Sequence, residues 1–308
     1  MKIRIGLVPL VPLVLMLILV SACETEEDLA DRLPESSLEL TDGYCLVAGD
    51  QVVLNHYDIS YYDYGAHLIY LKSHMSCELM LEEAGSLTVY AGGEDIYTVP
   101  TQPGYSSYMP QGPIIRTYPT FYEDNIIAIS LMTSYEAIID GAADSREDPR
   151  IVEALEKYGQ YREGLHCEIV SFHYSVLDEV VLRLKLTNMD AVNYYYLDPE
   201  KMGMGLFHYF TNGLKLWDGH QSYINQTEHI QPYPWDSWDL DWMSLLEGGS
   251  SVTITLEYKN FESVPPGTYW AMFRFPGLGY QVERDQLAQR HGQIWLGELQ
   301  LNKEVVVE

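Results

Sequence analysis

The residues best suited to touch something outside the chain are aromatic. Tyrosines number 25 against 7 phenylalanines, so the chain favours rings that carry a hydroxyl for water or a partner. They gather at Tyr61-Tyr62-Asp63-Tyr64, at Tyr105 and Tyr108, at Tyr194-Tyr195-Tyr196, and in the run from Tyr233 to Trp242. In that last run Trp235, Trp238 and Trp242 fall at i, i+3 and i+7, one face if the segment turns as a helix. With Tyr233 they form a candidate ligand-binding surface. Stiff rings give contact area at little entropic cost, and the interleaved aspartates could accept sugar hydroxyls or meet a basic partner. The competing reading is a face that covers a core, with its aspartates in water.

Other chemistry-bearing residues are less organised. His56, Asp58, Asp63 and His67 combine imidazole with carboxylate, a pairing that can bind a divalent metal. Ligands on one strand face recur every two residues, which only His56 and Asp58 satisfy. The four therefore read as surface polar residues of a Tyr-rich strand pair, with no metal. Asp140, Asp144 and Asp148 recur every four residues but lack the spacing and central glycine of a calcium loop, so they read as a solvated linker. No G-x-S-x-G, H-E-x-x-H, P-loop or Rossmann glycine pattern occurs, and Ser106 and Ser107 lack a strand-to-helix elbow. The expectation is a protein that is not an enzyme, with no catalytic residues and no cofactor. None of the four cysteines has zinc-ligand spacing. In an oxidising compartment Cys45–Cys77 is the natural disulfide, leaving Cys167 buried and free, with other pairings open.

The elements that must position these residues read as mainly β. Tyr44–Val47, Val52–Leu54, His67–Leu71, Leu87–Tyr90 and Ile126–Leu131 are short apolar runs bounded by Gly, Pro, Asp or Ser, which is strand punctuation. Ala91-Gly92-Gly93-Glu94 suits a tight hairpin. Residues 98–121 carry five prolines and read as a long surface loop or irregular edge. Asp148 can cap a helix that opens on Pro149 and buries Ile151, Leu155 and Tyr158, ending near Gly164 and packing between two domains. Farther on, Leu182/Leu184/Leu186, Val252/Ile254/Leu256 and Tyr269/Ala271/Phe273/Phe275 alternate with polar or outward residues, as in antiparallel strands with one buried face. Phe207–Phe210 and Leu214–Trp217 flank Thr211-Asn212-Gly213, a strong hairpin signal.

Composition bounds the whole. With 308 residues, 47% of them hydrophobic, the chain is long enough for two globular domains. Its 18 basic and 45 acidic residues give a net charge of −27, which argues against nucleic acid as a partner. Residues 23–140 hold Arg32, Lys72 and Arg116 as their basic residues, so the negative charge concentrates in the N-terminal half.

The N-terminus is a processing signal. Met1-Lys2-Ile3-Arg4 is basic, Ile5–Val20 apolar, and Ser21-Ala22 small: the order of a secretory signal peptide, too short and proline-interrupted for a membrane span. Val20-Ser21-Ala22-Cys23 resembles the bacterial lipobox, with Val at the position most often held by Leu. The resemblance implies cleavage after residue 22 and acylation of Cys23. The acyl chains would anchor an exported protein stably to a lipid bilayer. Glu24, where an aspartate would favour inner-membrane retention, leans toward the outer membrane if the host is Gram-negative. Otherwise the outer face of the cell membrane is expected.

The order LRLKLTN, GLKLWDG, EGGSSVTITLEY, VPPGTYWAMFRF across residues 178–276 resembles bacterial immunoglobulin-like sandwiches of the proteinase-inhibitor type. In those an Asn ends an early strand, here Asn188, and a Pro-Gly-x-Tyr turn opens a late one, here Pro266–Tyr269. Residues 44–140 are similar in style to uncharacterised modules of bacterial lipoproteins. The organisation expected is a signal peptide (1–22), an acidic tether (23–43) and an N-terminal β-rich domain (44–140). A linker with a short helix (141–164) and a C-terminal immunoglobulin-like sandwich (165–308) follow. The function expected is binding at the cell envelope, to an envelope protein or a glycan. The alternatives are an envelope hydrolase and a protease-inhibitor-like sandwich.

Overall fold

Short β-prone runs broken by turn residues pair locally and leave one apolar face to bury, and they do so twice along this chain. The computed structural model describes residues 42–72, 81, 84–103, 105–107, 110–117, 122–132, 134, 143–211, 213–279 and 282–308. The signal peptide, the tether and Cys23 lie outside them, as does Cys77.

The N-terminal part contains β1 (Tyr44–Ala48), β2 (Gln51–Leu54), β3 (Ile59–Asp63), β4 (Leu68–Leu71), β5 (Ser86–Ala91), β6 (Glu94–Gln102), β7 (Gly112–Arg116) and β8 (Ile126–Met132). With β9 (Tyr161–Arg162) they make a nine-stranded sheet in the order β2-β1-β5-β6-β7-β8-β4-β3-β9. The β5–β6 turn is the expected hairpin: Gly92 and Gly93 have φ of 64° and 83°, the two positive values that a type I′ turn requires. The proline-rich stretch is not a loop throughout. It supplies most of β6 and all of β7, both in the middle of the sheet. Pro100 is tolerated because it pairs with Ser86 on one side only, and β7 joins β6 just beyond it, at Thr101 and Gln102.

Helix α1 (Pro149–Lys157) follows, with Asp148 accepting the Arg150 N–H as N-cap. It stops at Lys157, short of Gly164. Its buried residues Ile151, Ala154 and Leu155 join the N-terminal core beside Leu46, Tyr62 and Val89.

The C-terminal part contains β10 (Leu165–Tyr174), β11 (Val180–Asn188), β12 (Tyr194–Leu197), α2 (Pro199–Met202), α3 (Met204–Thr211), β13 (Lys215–Trp217) and β14 (Ser222–Ile224). Then come β15 (Met243–Leu246), β16 (Ser251–Tyr258), β17 (Gly267–Phe275), β18 (Ala288–Gln289), β19 (Gly292–Ile294) and β20 (Leu299–Val307). Sheets β10-β11-β16 and β14-β13-β17-β20 face each other, and a smaller sheet, β15-β12-β19-β18, lies beside them. The two facing sheets have the strand order of an immunoglobulin-like sandwich. Register sets Leu184 opposite Ile254 and Phe273 opposite Leu301, and the alternating residues expected inside are inside, with Val252 only half-buried. Tyr269 at the start of β17 donates its hydroxyl to Pro265 O at 2.7 Å, the tyrosine corner of such folds. Asn188 is buried at the end of β11, its amide donating to Val192 O and Leu246 O.

The expected hairpin at residues 207–217 does not form. Residues 204–211 make α3, which buries Phe207, His208 and Thr211 and meets β13 through a bend at Gly213. Contact with the core overrides the local β-propensity of Phe-His-Tyr-Phe. Both parts belong to one compact unit, Leu40–Glu308, and Tyr61, Leu68, Tyr70 and Ile126 of the N-terminal sheet sit in the C-terminal core.

Candidate functional site

The aromatic segment does not form an α-helix. The chain instead turns at Pro234, where Ser237 N–H donates to the Pro234 carbonyl at 2.9 Å. It then makes a single 3₁₀ turn, Leu240–Trp242, capped by Asp239. The three tryptophans therefore do not share a helical face. Trp238 and Trp242 pack, half-buried, against the C-terminal core, and the Trp242 ring lies 6.3 Å from that of Phe210. Asp198 N–H donates to Trp242 O at 2.9 Å and Ser244 Oγ donates to Asp198 Oδ2 at 2.5 Å, tying the segment's end to the start of α2. Tyr233, 98% exposed, and Trp235, 53% exposed, project from this anchored base. Asp236, Asp239 and Asp241 face water.

The histidine–aspartate group around β3 and β4 is not on the surface. His56, Asp63 and His67 are buried. Nor do the four converge: Asp58 Oδ2 accepts the Asn55 N–H at 3.0 Å and closes the turn before β3. Asp63, 1% exposed, accepts Ala66 N–H on Oδ1 at 3.2 Å and Trp295 Nε1–H on Oδ2 at 3.1 Å. Burial pushes its pKa up to about 7 against those hydrogen bonds. Nearby, the Arg162 guanidinium lies 3.6 Å from the centre of the Tyr61 ring. Tyr194 donates to Asp190 Oδ2 at 2.7 Å, and Asp190 also accepts Glu163 and Gly164 N–H. This network joins the N-terminal sheet to the strands of the C-terminal part.

His67 has φ of 53° in the β3–β4 turn, and its Nδ1 lies 3.1 Å from Tyr62 OH. Ligand atoms of His67, Asp144 and Glu147 fall within 4.8 Å of one another. The set fits a metal poorly, because Asp144 is committed to Arg146. Oδ1 accepts its backbone N–H and Nε–H at 2.9 and 3.0 Å, and Oδ2 accepts a terminal N–H at 2.6 Å. Burial opposes the Asp144 charge, yet these Arg146 hydrogen bonds hold its carboxyl below the usual range. Burial, reinforced by Arg146, keeps His67 neutral. Asp144 and Asp148 are thus capping residues, not a solvated linker; Asp140 lies outside the described residues.

Ser106 Oγ accepts from Gln102 Nε2 at 2.5 Å. An open depression of about 370 Å³ is lined by Glu123, Glu283, Arg284 and Asp285, without a nucleophile. Cys45 is buried in β1, and a bridge to Cys77 involves a residue outside those described. Cys167 is buried, which pushes its thiol up to about 12 and keeps it from reacting. Sequence reasoning missed Arg146, Arg162 and Trp295, whose partners lie far off in the chain or in an unforeseen turn. A scan of protein-family models finds no match to the chain, and a search of curated proteins finds none either.

Proposed function

We propose that this is a non-catalytic, lipid-anchored protein of the bacterial cell envelope that binds a partner through the aromatic segment Tyr233–Trp242. The observation that carries the reading is the division of labour in that segment: Trp238 and Trp242 are held against the core while Tyr233 is 98% and Trp235 53% exposed. An anchored base with projecting rings is preorganised for contact, which reduces the entropy lost on binding. The exposed aspartates beside the rings suit a glycan's hydroxyls or a basic face of an envelope protein. Acylated Cys23 supplies the membrane attachment, at the outer membrane in a Gram-negative host. Among the described residues no helix is long and apolar enough to cross a membrane; the reading assigns attachment to the lipid on Cys23. The test is binding of the chain and of its Tyr233→Ala/Trp235→Ala variant to envelope proteins and to cell-surface polysaccharide. The variant should keep its thermal stability and lose retention on one of the two. Equal retention of both proteins on every target contradicts the reading.

A further inference from the structure

Helix α3 carries a histidine that no hydrogen bond answers. His208 is 1% exposed, and neither ring nitrogen has a hydrogen-bond partner among the described residues. Buried polar groups in native folds are paired, so an exception marks a bound water, an ion or a chemical task. The surroundings narrow the choice. The ring of His229 meets that of His208 at 82° with centroids 4.6 Å apart. Tyr258 of β16 approaches from another side, centroids 5.7 Å away, and its hydroxyl is likewise buried without a partner.

A third side is closed by Asn225 and Gly213. The point that a Cβ on Gly213 would take lies 2.3 Å from His208 Nε2 and 2.2 Å from Asn225 Nδ2. Only glycine fits, and the imidazole and the amide meet across it. The framework is fixed by backbone. Ile230 N–H donates to Gly205 O at 2.9 Å, which holds His229 beside α3. Asn225 bridges to Phe261, which ties it to the sandwich.

We propose that His208 and His229 together bind one transition-metal ion of the Zn²⁺ or Cu²⁺ class. Imidazole is the ligand such ions prefer. Two imidazoles bound side by side on one ion, with metal–nitrogen bonds of about 2.0–2.1 Å, place their ring centres roughly 4.5 Å apart at a right angle and roughly 5.2 Å apart at the tetrahedral angle, and these rings stand 4.6 Å apart. His208 is the buried, fixed ligand. His229 is exposed and leaves the outer positions of the ion to water. The site does not depend on the aromatic segment and stands whether or not that segment binds a partner.

The test is titration of the folded chain with Cu²⁺ and, separately, Zn²⁺ in excess Ca²⁺, which occupies the oxygen-rich acidic surface. Calorimetry should give one equivalent of either ion, and the paramagnetic resonance of the Cu²⁺ form should show coupling to two imidazole nitrogens. His229→Ala, at an exposed position, should keep the wild-type circular dichroism, weaken binding at least tenfold and remove one nitrogen coupling. His208→Ala, with folding checked the same way, should abolish the Ca²⁺-resistant equivalent. Absence of that equivalent in the wild type would assign the buried nitrogens to water and overturn the proposal. So would a wild-type affinity in His229→Ala.

Discussion

Asp63 links the two β-rich parts through its hydrogen bond from Trp295. Its carboxyl is held up near 7, where an ordinary aspartate lies at 3.8. Between those values the folded protein keeps a proton that the unfolded chain has released. The associated stability is therefore complete below about pH 4 and is lost as pH rises through about 7. Asp63→Asn keeps an acceptor and cannot ionise, so its melting temperature relative to wild type should climb between pH 4 and pH 8; a constant difference would refute the assignment. Trp295→Phe leaves the buried carboxylate one donor short and should cost about 1–3 kcal/mol in urea unfolding. Neither contact was legible in the sequence. His56-Tyr57-Asp58 through His67 reads as polar surface, and the partner that buries Asp63 lies 232 positions away. Tertiary contact decides burial there, and no local spacing carries it.

At the scale of elements the sequence is far more informative. The alternation of β11, β16 and β17, the Gly-Gly turn and the Asp-Pro start of α1 each follow from a rule with a period or a fixed position. The cap gives a direct check: Asp148→Ala should destabilise by about 1 kcal/mol in thermal or urea unfolding, since the Arg150 N–H loses its acceptor. An unchanged midpoint would mean that the cap adds nothing. Legibility failed where two rules competed. Asn212-Gly213 signals a hairpin, yet residues 204–211 bury one face as a helix. Prolines signal a loop, yet Pro100 and Pro113 stand in strands, Pro100 where only one edge is paired. The aromatic segment is a third case. Its i, i+3, i+7 spacing suits a helix, yet the chain makes only a turn at Pro234 and one 3₁₀ turn at Leu240–Trp242, so the tryptophans divide between core and solvent.

For the whole molecule that division is the central fact. Trp242→Ala removes a half-buried ring that packs against the core and should cost roughly 1–3 kcal/mol. Tyr233→Ala, at an almost fully exposed ring, should stay within about 0.5 kcal/mol of wild type. Similar losses at both positions would show that the exposed rings serve the fold and not a partner. Anchoring has its own check: Cys23→Ser should move the protein from the membrane fraction to the soluble fraction, and unchanged membrane retention would refute a lipid anchor. The net charge of −27 sets a further bias, favouring neutral glycans or basic proteins over anionic polymers.

The most direct measurement is crosslinking in the native membrane, followed by purification and mass spectrometry of the captured species, for wild type and for Tyr233→Ala/Trp235→Ala side by side. A binding protein built on this segment should bring down a recurrent envelope protein or polysaccharide with the wild type and lose it with the double variant at equal abundance. Capture of the same partner at the same level by both forms would contradict it.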